Sequence, residues 1–240
     1  MPDKEIPVVI LCGGKGARMG VHSQFLPKGL IPIGEKPILW HIMKIYSYFG
    51  FNQFILCLGY QGAKIREYFK DQKQWQINFV DTGLDTNTGG RIKAVERYIK
   101  QDTFFATYGD GLSDVNINQL LHYHSEHKKI ATLLAVKPYS QFGIIEFSDS
   151  HSSAIKSFVE KPLLDHWING GFFVFQREIF NYIEDNDVLE KEVFTRLVKK
   201  SELIAHKHHG FWKCMDTYKD CQELNNLWQD NKASWEHRRR

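Results

Sequence analysis

Ile6-Pro7-Val8-Val9-Ile10-Leu11-Cys12-Gly13-Gly14-Lys15-Gly16-Ala17-Arg18, with Pro27-Lys28 a little further on, is the stretch on which the reading of this chain turns. Its apolar, β-branched first half has the composition of a strand buried on both faces, since it lacks the alternation of a strand with one wet face. That strand delivers a glycine-rich loop. Three glycines in four positions remove Cβ atoms, so the backbone can wrap closely around a ligand and aim N–H groups at a phosphate chain. Arg18 and Lys28 add two cations, and the sum is a candidate site for a nucleoside triphosphate.

Two better-known glycine signatures do not fit. The dinucleotide fingerprint G-x-G-x-x-G, started at Gly14, needs a third glycine where Met19 stands. The P-loop pattern needs lysine after its second glycine, and the Gly29 to Gly34 spacing is followed by Glu35. A tight strand-to-helix turn remains the plain alternative for Gly13 to Gly16.

Further along, Pro37 opens a helical pattern through Tyr46, and Phe54 to Gly59 reads as a second buried strand followed by a helix over Gly62 to Lys70. The alternation continues with a strand at Ile77 to Val80, a helix over Gly90 to Tyr98, a strand at Phe104 to Tyr108 and a helix over Ile117 to His127. The fold class is therefore α/β: a Rossmann-like, mostly parallel sheet flanked by helices, with ligands at the carboxyl ends of its strands. The second half changes character. Ile130 to Val136, Ile144 to Phe147, Ile155 to Val159 and Phe172 to Phe175 are separated by turns rather than full helices, which predicts an antiparallel extension or cap. A last helix is expected from about Tyr218 to Trp228.

The 240 residues are 42% hydrophobic and 25% charged, with no linker, repeat or low-complexity tract, so a single domain spanning 1–240 is expected. No apolar run is long enough for a membrane span, the start does not read as a signal peptide, and a cytoplasmic protein follows as the expectation. The four cysteines form no C-x-x-C pair, and no structural disulfide is expected. A formal charge of +3 is too small to argue for nucleic acid, and Arg238-Arg239-Arg240 reads as a frayed terminus.

Strand ends carry the candidate chemistry. The third yields Asp81-Thr82-Gly83 and then Thr86-Asn87-Thr88-Gly89-Gly90-Arg91; the fourth yields Tyr108-Gly109-Asp110-Gly111, where flanking glycines let a carboxylate approach a metal ion or phosphates. Asp110 is equally at home as a turn former. Lys161, before Pro162, is expected on an extended backbone that presents a point charge, and Asn169 beside two glycines can bond a hydroxylated ligand. A surface turn at Glu160-Lys161 and a β-bulge at Gly170-Gly171 are the structural alternatives. Asp216 can cap the last helix or serve as a second metal ligand. His206, His208, His209 and Cys214 match no familiar zinc spacing, and the histidines of the Leu121 to His127 segment are expected on a helix surface.

Leu-x-Gly-Gly-x-Gly-x-Arg with a downstream Pro-Lys resembles the sugar-1-phosphate nucleotidylyltransferases. The blocks Trp40-His41-Ile42-Met43-Lys44, Asp81-Thr82-Gly83 with Thr88-Gly89-Gly90-Arg91, Trp167-Ile168-Asn169-Gly170-Gly171-Phe172-Phe173, and Gly210-Phe211-Trp212 with Met215-Asp216-Thr217 narrow it to their glucose-1-phosphate cytidylyltransferase branch. The match runs from Ile6 to Trp235. The resemblance implies the nucleotide-diphospho-sugar transferase fold, with a nucleotide-binding half over about 1–128 and a sugar-phosphate-binding half over about 129–240. It implies a reaction too. A sugar phosphate oxygen attacks the α-phosphorus of CTP in line and pyrophosphate leaves, giving a CDP-sugar in sugar nucleotide and polysaccharide biosynthesis, with Mg2+ as cofactor.

Carried over by position, Arg18, Lys28 and Asp110 are the catalytic group. Leu11, Cys12, Gly13, Gly14, Lys15, Gly16, Ala17, Arg18, Thr86, Gly89, Arg91 and Gly109 bind the nucleotide. Lys28, Gly143, Glu160, Lys161 and Asn169 bind the acceptor, and Asp110 and Asp216 hold the metal. The implied partners are CTP, a sugar 1-phosphate and further copies of the chain, with no nucleic acid or membrane. Three departures qualify this: Ala17 stands where the branch has threonine, Gly29 where it has proline, and the segment between Phe69 and Trp75 is shorter than in those enzymes. Use of dTTP or UTP, another phosphate acceptor, and a non-catalytic nucleotide sensor remain as alternatives.

Overall fold

The structure is a computed structural model that describes residues 5–16, 26–149 and 152–236. Ala17, Arg18 and the terminal arginines lie outside the described residues. In chain order the strands are β1 (Val8–Leu11), β2 (Pro32–Ile33), β3 (Lys36–Pro37), β4 (Gln53–Leu58), β5 (Gln76–Asp81), β6 (Thr103–Tyr108), β7 (Gly111–Ser113), β8 (Ala131–Val136), β9 (Ile144–Phe147), β10 (Ile155–Val159), β11 (Ile168–Gln176), β12 (Leu203–His208) and β13 (Trp212–Cys214). The α-helices are α1 (Ile38–Tyr48), α2 (Gly62–Phe69), α3 (Thr88–Ala94), α4 (Ile117–His127), α5 (Phe194–Lys199) and α6 (Tyr218–Gln229).

Seven strands form the central sheet in the order β12-β8-β11-β6-β1-β4-β5. β1, β4, β5 and β6 run parallel, as expected of strands joined through helices, and β8 and β12 are parallel to each other. β11 alone in this sheet opposes its neighbours, β6 and β8. The expected antiparallel portion is thus one central strand plus separate two-stranded ladders: β9 and β10 pair only with each other, and so do β7 and β13, which lie far apart in the chain. The register of β11 against β8 shifts between Asn169 and Phe173, so Gly170-Gly171 sits in a bulge.

Alternation along β1 shows why the first apolar run is buried twice over. Val8 and Ile10 enter a core shared with α1 and α6, whereas Val9 and Leu11 enter the opposite core with Phe104, Phe173 and Phe175. The helix expected through Tyr98 ends at Ala94 and passes into a single 3-10 turn over Glu96–Tyr98. The short connection after α2 is closed by Trp75, which is 6% exposed and packs against Trp40 and Phe54 at ring distances of 5.9 and 5.8 Å.

His124 corrects the expectation of a surface histidine. Ile117, Leu120 and His124 form the buried stripe of α4, with spacings that place them on one helix face. Its ring bonds Thr132 Oγ1 at 2.8 Å and Gln176 Nε2 at 2.9 Å. Burial holds its pKa down to about 4. A histidine depressed below its unfolded value near 6.5 contributes stability that is complete above that pH and is lost as pH falls towards 4, by at most about 3 kcal/mol. The thermal midpoint of the wild-type protein is expected to drop over that interval, and His124→Gln to flatten the drop; parallel pH profiles for the two would contradict the assignment.

Candidate active site

The glycine loop leaves β1 at the carboxyl edge of the sheet and opens a cavity of about 600 Å³, a size suited to a nucleotide. One wall is Leu11 to Gly16, the opposite wall is Leu84 to Thr88 with Arg91, and the floor holds Tyr108, Gly109 and Asp110. Lys15 reaches across the mouth to Asp85 at 2.8 Å, an exposed contact of small energetic weight.

At the inner end, the Lys28 ammonium lies between two carboxylates, 2.6 Å from Asp110 and 2.8 Å from Asp216. The two carboxylates meet because of β7 and β13: Cys214 pairs with Gly111, and Met215 N donates to Asp110 O at 2.9 Å. The last helix is capped by Thr217, whose side chain accepts from Asp220 N while Asp220 bonds Thr217 N in return. Asp216 is therefore not the cap, and its carboxylate faces Lys28 instead. Burial works against the ammonium, but the paired carboxylates prevail and hold the Lys28 pKa above the ordinary lysine value. One cation is already bound there. Among the described residues Asp110, Cys214 and Asp216 form the one group of three His, Cys, Asp or Glu side chains close enough to share a metal ion, their ligand atoms within 4.8 Å of one another. His206 meets Tyr123 edge to face and His208 bonds Asp114, so the histidines and Cys214 do not assemble a zinc site.

Arg91 is buried behind the glycine loop. Its NH1 donates to Leu58 O, Thr82 Oγ1 and Gly83 O, and its NH2 to Gly13 O and Leu84 O. A Cβ on Gly13 would lie 2.2 Å from NH1, so glycine there is what lets the guanidinium brace the loop. Arg91 also lines the cavity, so its charge favours an anion there.

Gly89 and Gly90 also serve close approach. Both N–H groups donate to Asp187 O, at 2.9 and 3.2 Å, and a Cβ on Gly89 would lie 2.7 Å from that oxygen. The expected nucleotide contact through Gly89 is thus not open to its N–H, and the cavity wall here is made by Leu84 to Thr88. Thr86 is on that wall.

Of the residues expected to bind the acceptor, Lys28 lies on the cavity wall and Asn169 lies just behind it, donating to Tyr108 Oη at 3.4 Å. Gly143, Glu160 and Lys161 are not on the wall; they belong to the β9–β10 arm, where Lys161 pairs with Glu160 at 3.3 Å. The backbone of Lys161 is left-handed, φ 47°, rather than extended, because the chain turns there from β10 towards the bridge between Tyr139 and Leu163.

Sequence reasoning missed the loop from Asp185 to Glu190. Val188 lines the cavity, Glu190 accepts from Tyr108 and from Thr88, and Asn186 bonds Asn87 twice. No motif marks this loop, and it lies 99 positions from the segment that it supports.

A model of the family described as nucleotidyl transferase matches residues 7–232. A protein of Bacillus subtilis (strain 168) named "Probable glucose-1-phosphate cytidylyltransferase" is 43% identical over 251 residues, covering 95% of this chain and 98% of its own. The glucose-1-phosphate cytidylyltransferase of Salmonella typhimurium (strain LT2) is 41% identical over 254 residues, covering 95% and 97%. Both alignments are longer than this 240-residue chain, so those relatives carry residues with no counterpart here. Among solved structures, HddC from Yersinia pseudotuberculosis superposes with a TM-score of 0.74 at 22% identity, covering 93% of this chain and 99% of its own.

Proposed function

The chain belongs to the nucleotidyl transferase family, among its sugar-1-phosphate nucleotidylyltransferases, and from that premise we propose that it joins CTP to glucose 1-phosphate, giving CDP-glucose and pyrophosphate. The observation that carries the reading is the Lys28 ammonium held by Asp110 and Asp216 at the inner end of a glycine-walled cavity. A phosphate chain laid along the loop N–H groups would end beside that charge cluster. The reaction needs no covalent enzyme intermediate, so positioning and charge neutralisation supply most of the rate.

Asp110 and Asp216 fit a hard divalent cation: two carboxylates already hold a positive charge in common. We assign them Mg2+, which when bound neutralises the departing pyrophosphate. Lys28 then turns from the carboxylates to the phosphate oxygens at the reacting centre. Arg18 is assigned to the departing phosphates, and Arg91 holds the loop in shape from behind. Asn169 and Lys161 are assigned to the acceptor from the second half of the chain, 129–240, and the nucleotide to the first. We place the enzyme in the cytoplasm, as a homo-oligomer.

Incubation of the full chain with CTP, glucose 1-phosphate and Mg2+ is expected to produce CDP-glucose in stoichiometric balance with pyrophosphate, read by phosphorus NMR. Tight nucleotide binding with no product from any sugar phosphate would overturn the catalytic reading in favour of a nucleotide sensor.

A further inference from the structure

Glu190 stands behind the cavity and holds two of its walls. One carboxylate oxygen accepts from Thr88 Oγ1 at 2.9 Å and the other from Tyr108 Oη, while the backbone N–H of Leu189 donates to Thr88 Oγ1 at 2.9 Å. Thr88 and Tyr108 line the cavity; Glu190 does not. A side chain that ties the nucleotide wall to the floor without reaching the cavity can act only through the residues it holds.

Polarity gives that tie a direction. A carboxylate only accepts, so both hydroxyls spend their single proton on Glu190. Tyr108 Oη can then only accept from its other neighbour, the Asn169 amide, whose Nδ2 lies 3.4 Å away. Asn169 Oδ1 accepts from Gly171 N at 2.9 Å, so the two ends of the amide are assigned independently. Each end keeps one hydrogen-bonding position in reserve, a donor on Nδ2 and an acceptor on Oδ1. The Tyr108 ring is held as well: Gly171 has φ 76°, a Cβ there would lie 2.6 Å from Tyr108 Cδ2, and Phe173 meets the ring edge to face at 5.4 Å.

We propose that Glu190 is a positioning residue for the acceptor, acting through Tyr108 on Asn169. By committing the Tyr108 proton it fixes what Asn169 offers to a sugar, one donor beside one acceptor, a pair that suits a hydroxyl able to accept from the amide nitrogen and donate to the amide oxygen. The acceptor selected is a sugar 1-phosphate that keeps its hydroxyl at the position facing Asn169. A deoxy sugar phosphate would leave both amide groups unpaired, which is how a site built around a hydroxyl rejects an analogue that lacks it. This selectivity rests on the acceptor reading above, in which Asn169 meets the sugar; the link from Glu190 to Asn169 does not.

A plainer role for Glu190 would be to fasten its own loop to the sheet. That loop is fastened elsewhere: Asn186 bonds Asn87 twice, Asp187 O accepts from Gly89 N and Gly90 N, and the Asp187 carboxylate pairs with Arg196. Removing the exposed Glu190 carboxylate leaves those contacts in place, so its loss falls on Tyr108 and Asn169.

Steady-state kinetics of the full chain, together with the side-chain amide NMR signals of Asn169 in isotope-labelled, ligand-free protein, test this, with circular dichroism as the check of folding. Glu190→Ala is expected to raise KM for glucose 1-phosphate about tenfold, the weight of one hydrogen bond, while kcat and KM for CTP change far less. The same variant is expected to shift the Asn169 amide signals and to narrow the preference for glucose 1-phosphate over its deoxy analogues. Glu190→Gln, which keeps an acceptor for Tyr108, is expected to recover most of the loss. Tyr108→Phe is expected to match Glu190→Ala, and the double variant to be no worse than either. Should Glu190→Ala fail to fold, Glu190→Met, which keeps the stem without the oxygens, takes its place. Unmoved Asn169 signals, losses that multiply in the double variant, or a KM for CTP raised as much as that for the sugar phosphate would overturn the inference. A wild type that turns over no sugar phosphate would instead overturn the acceptor reading and the selectivity with it, and the Asn169 signals would then decide the link from Glu190 alone.

Discussion

Asp110→Asn is expected to lower turnover at least a hundredfold, about 3 kcal/mol of transition-state stabilisation, the loss that accompanies one preorganised electrostatic group. The substitution keeps the shape of the side chain and removes one of two negative ligands, leaving Lys28 paired with Asp216 alone, at 2.8 Å. Chelation of divalent cations is expected to abolish turnover in the wild-type protein. Wild-type rates in the variant, or undiminished activity in the presence of a chelator, would remove Asp110 from the role assigned to it.

Lys28→Ala is expected to depress turnover by two to three orders of magnitude, about 3–4 kcal/mol, while changing nucleotide affinity far less. An ammonium that finds the phosphates as charge redistributes stabilises the transition state more than the ground state. The same variant carries a second signature. With the ammonium gone, Asp110 and Asp216 face each other uncompensated, so Mn2+ binding in the absence of nucleotide, followed by paramagnetic resonance, is expected to tighten. A purely affinity-based loss of activity, or Mn2+ binding unchanged from wild type, would count against the position of Lys28 between the carboxylates.

What could be read from the residues alone was whatever local chemistry dictates. Val8 to Leu11 is apolar without alternation, and it lies between two cores. Ile117 to His127 reads as a helix, and the helix has those bounds. Asp110 and Asp216 were legible as candidate carboxylates, but not their neighbourhood. Asp216 and Thr217 are both good cap residues, and only the bond between Thr217 and Asp220 decides which of them caps and which faces Lys28.

Long-range pairing hid the remainder. The loop at Asp185 to Glu190 earns its place through contacts to Asn87, Thr88 and Tyr108, and nothing near it in sequence points there. Gly89 was expected to bind the nucleotide; it and Gly90 are small because Asn186 and Asp187 lie against them. His124 looked like surface because its helix is rich in histidine, and its burial depends on Thr132 and Gln176 from other strands.

Selection of the base rests on hydrogen-bond polarity. Cytosine presents an amino donor where uracil and thymine present a carbonyl, so acceptor oxygens on the Leu84 to Thr88 wall would be satisfied by one and repelled by the other two. An unpaired buried polar group costs about 1–3 kcal/mol, which corresponds to tenfold or more than hundredfold discrimination. Pyrophosphate release with glucose 1-phosphate, measured as kcat/KM for CTP, UTP, dTTP and GTP on the wild-type chain, tests this most directly. CTP is expected to exceed each of the others at least tenfold; equal or faster release with any of them would contradict the cytidylyltransferase assignment.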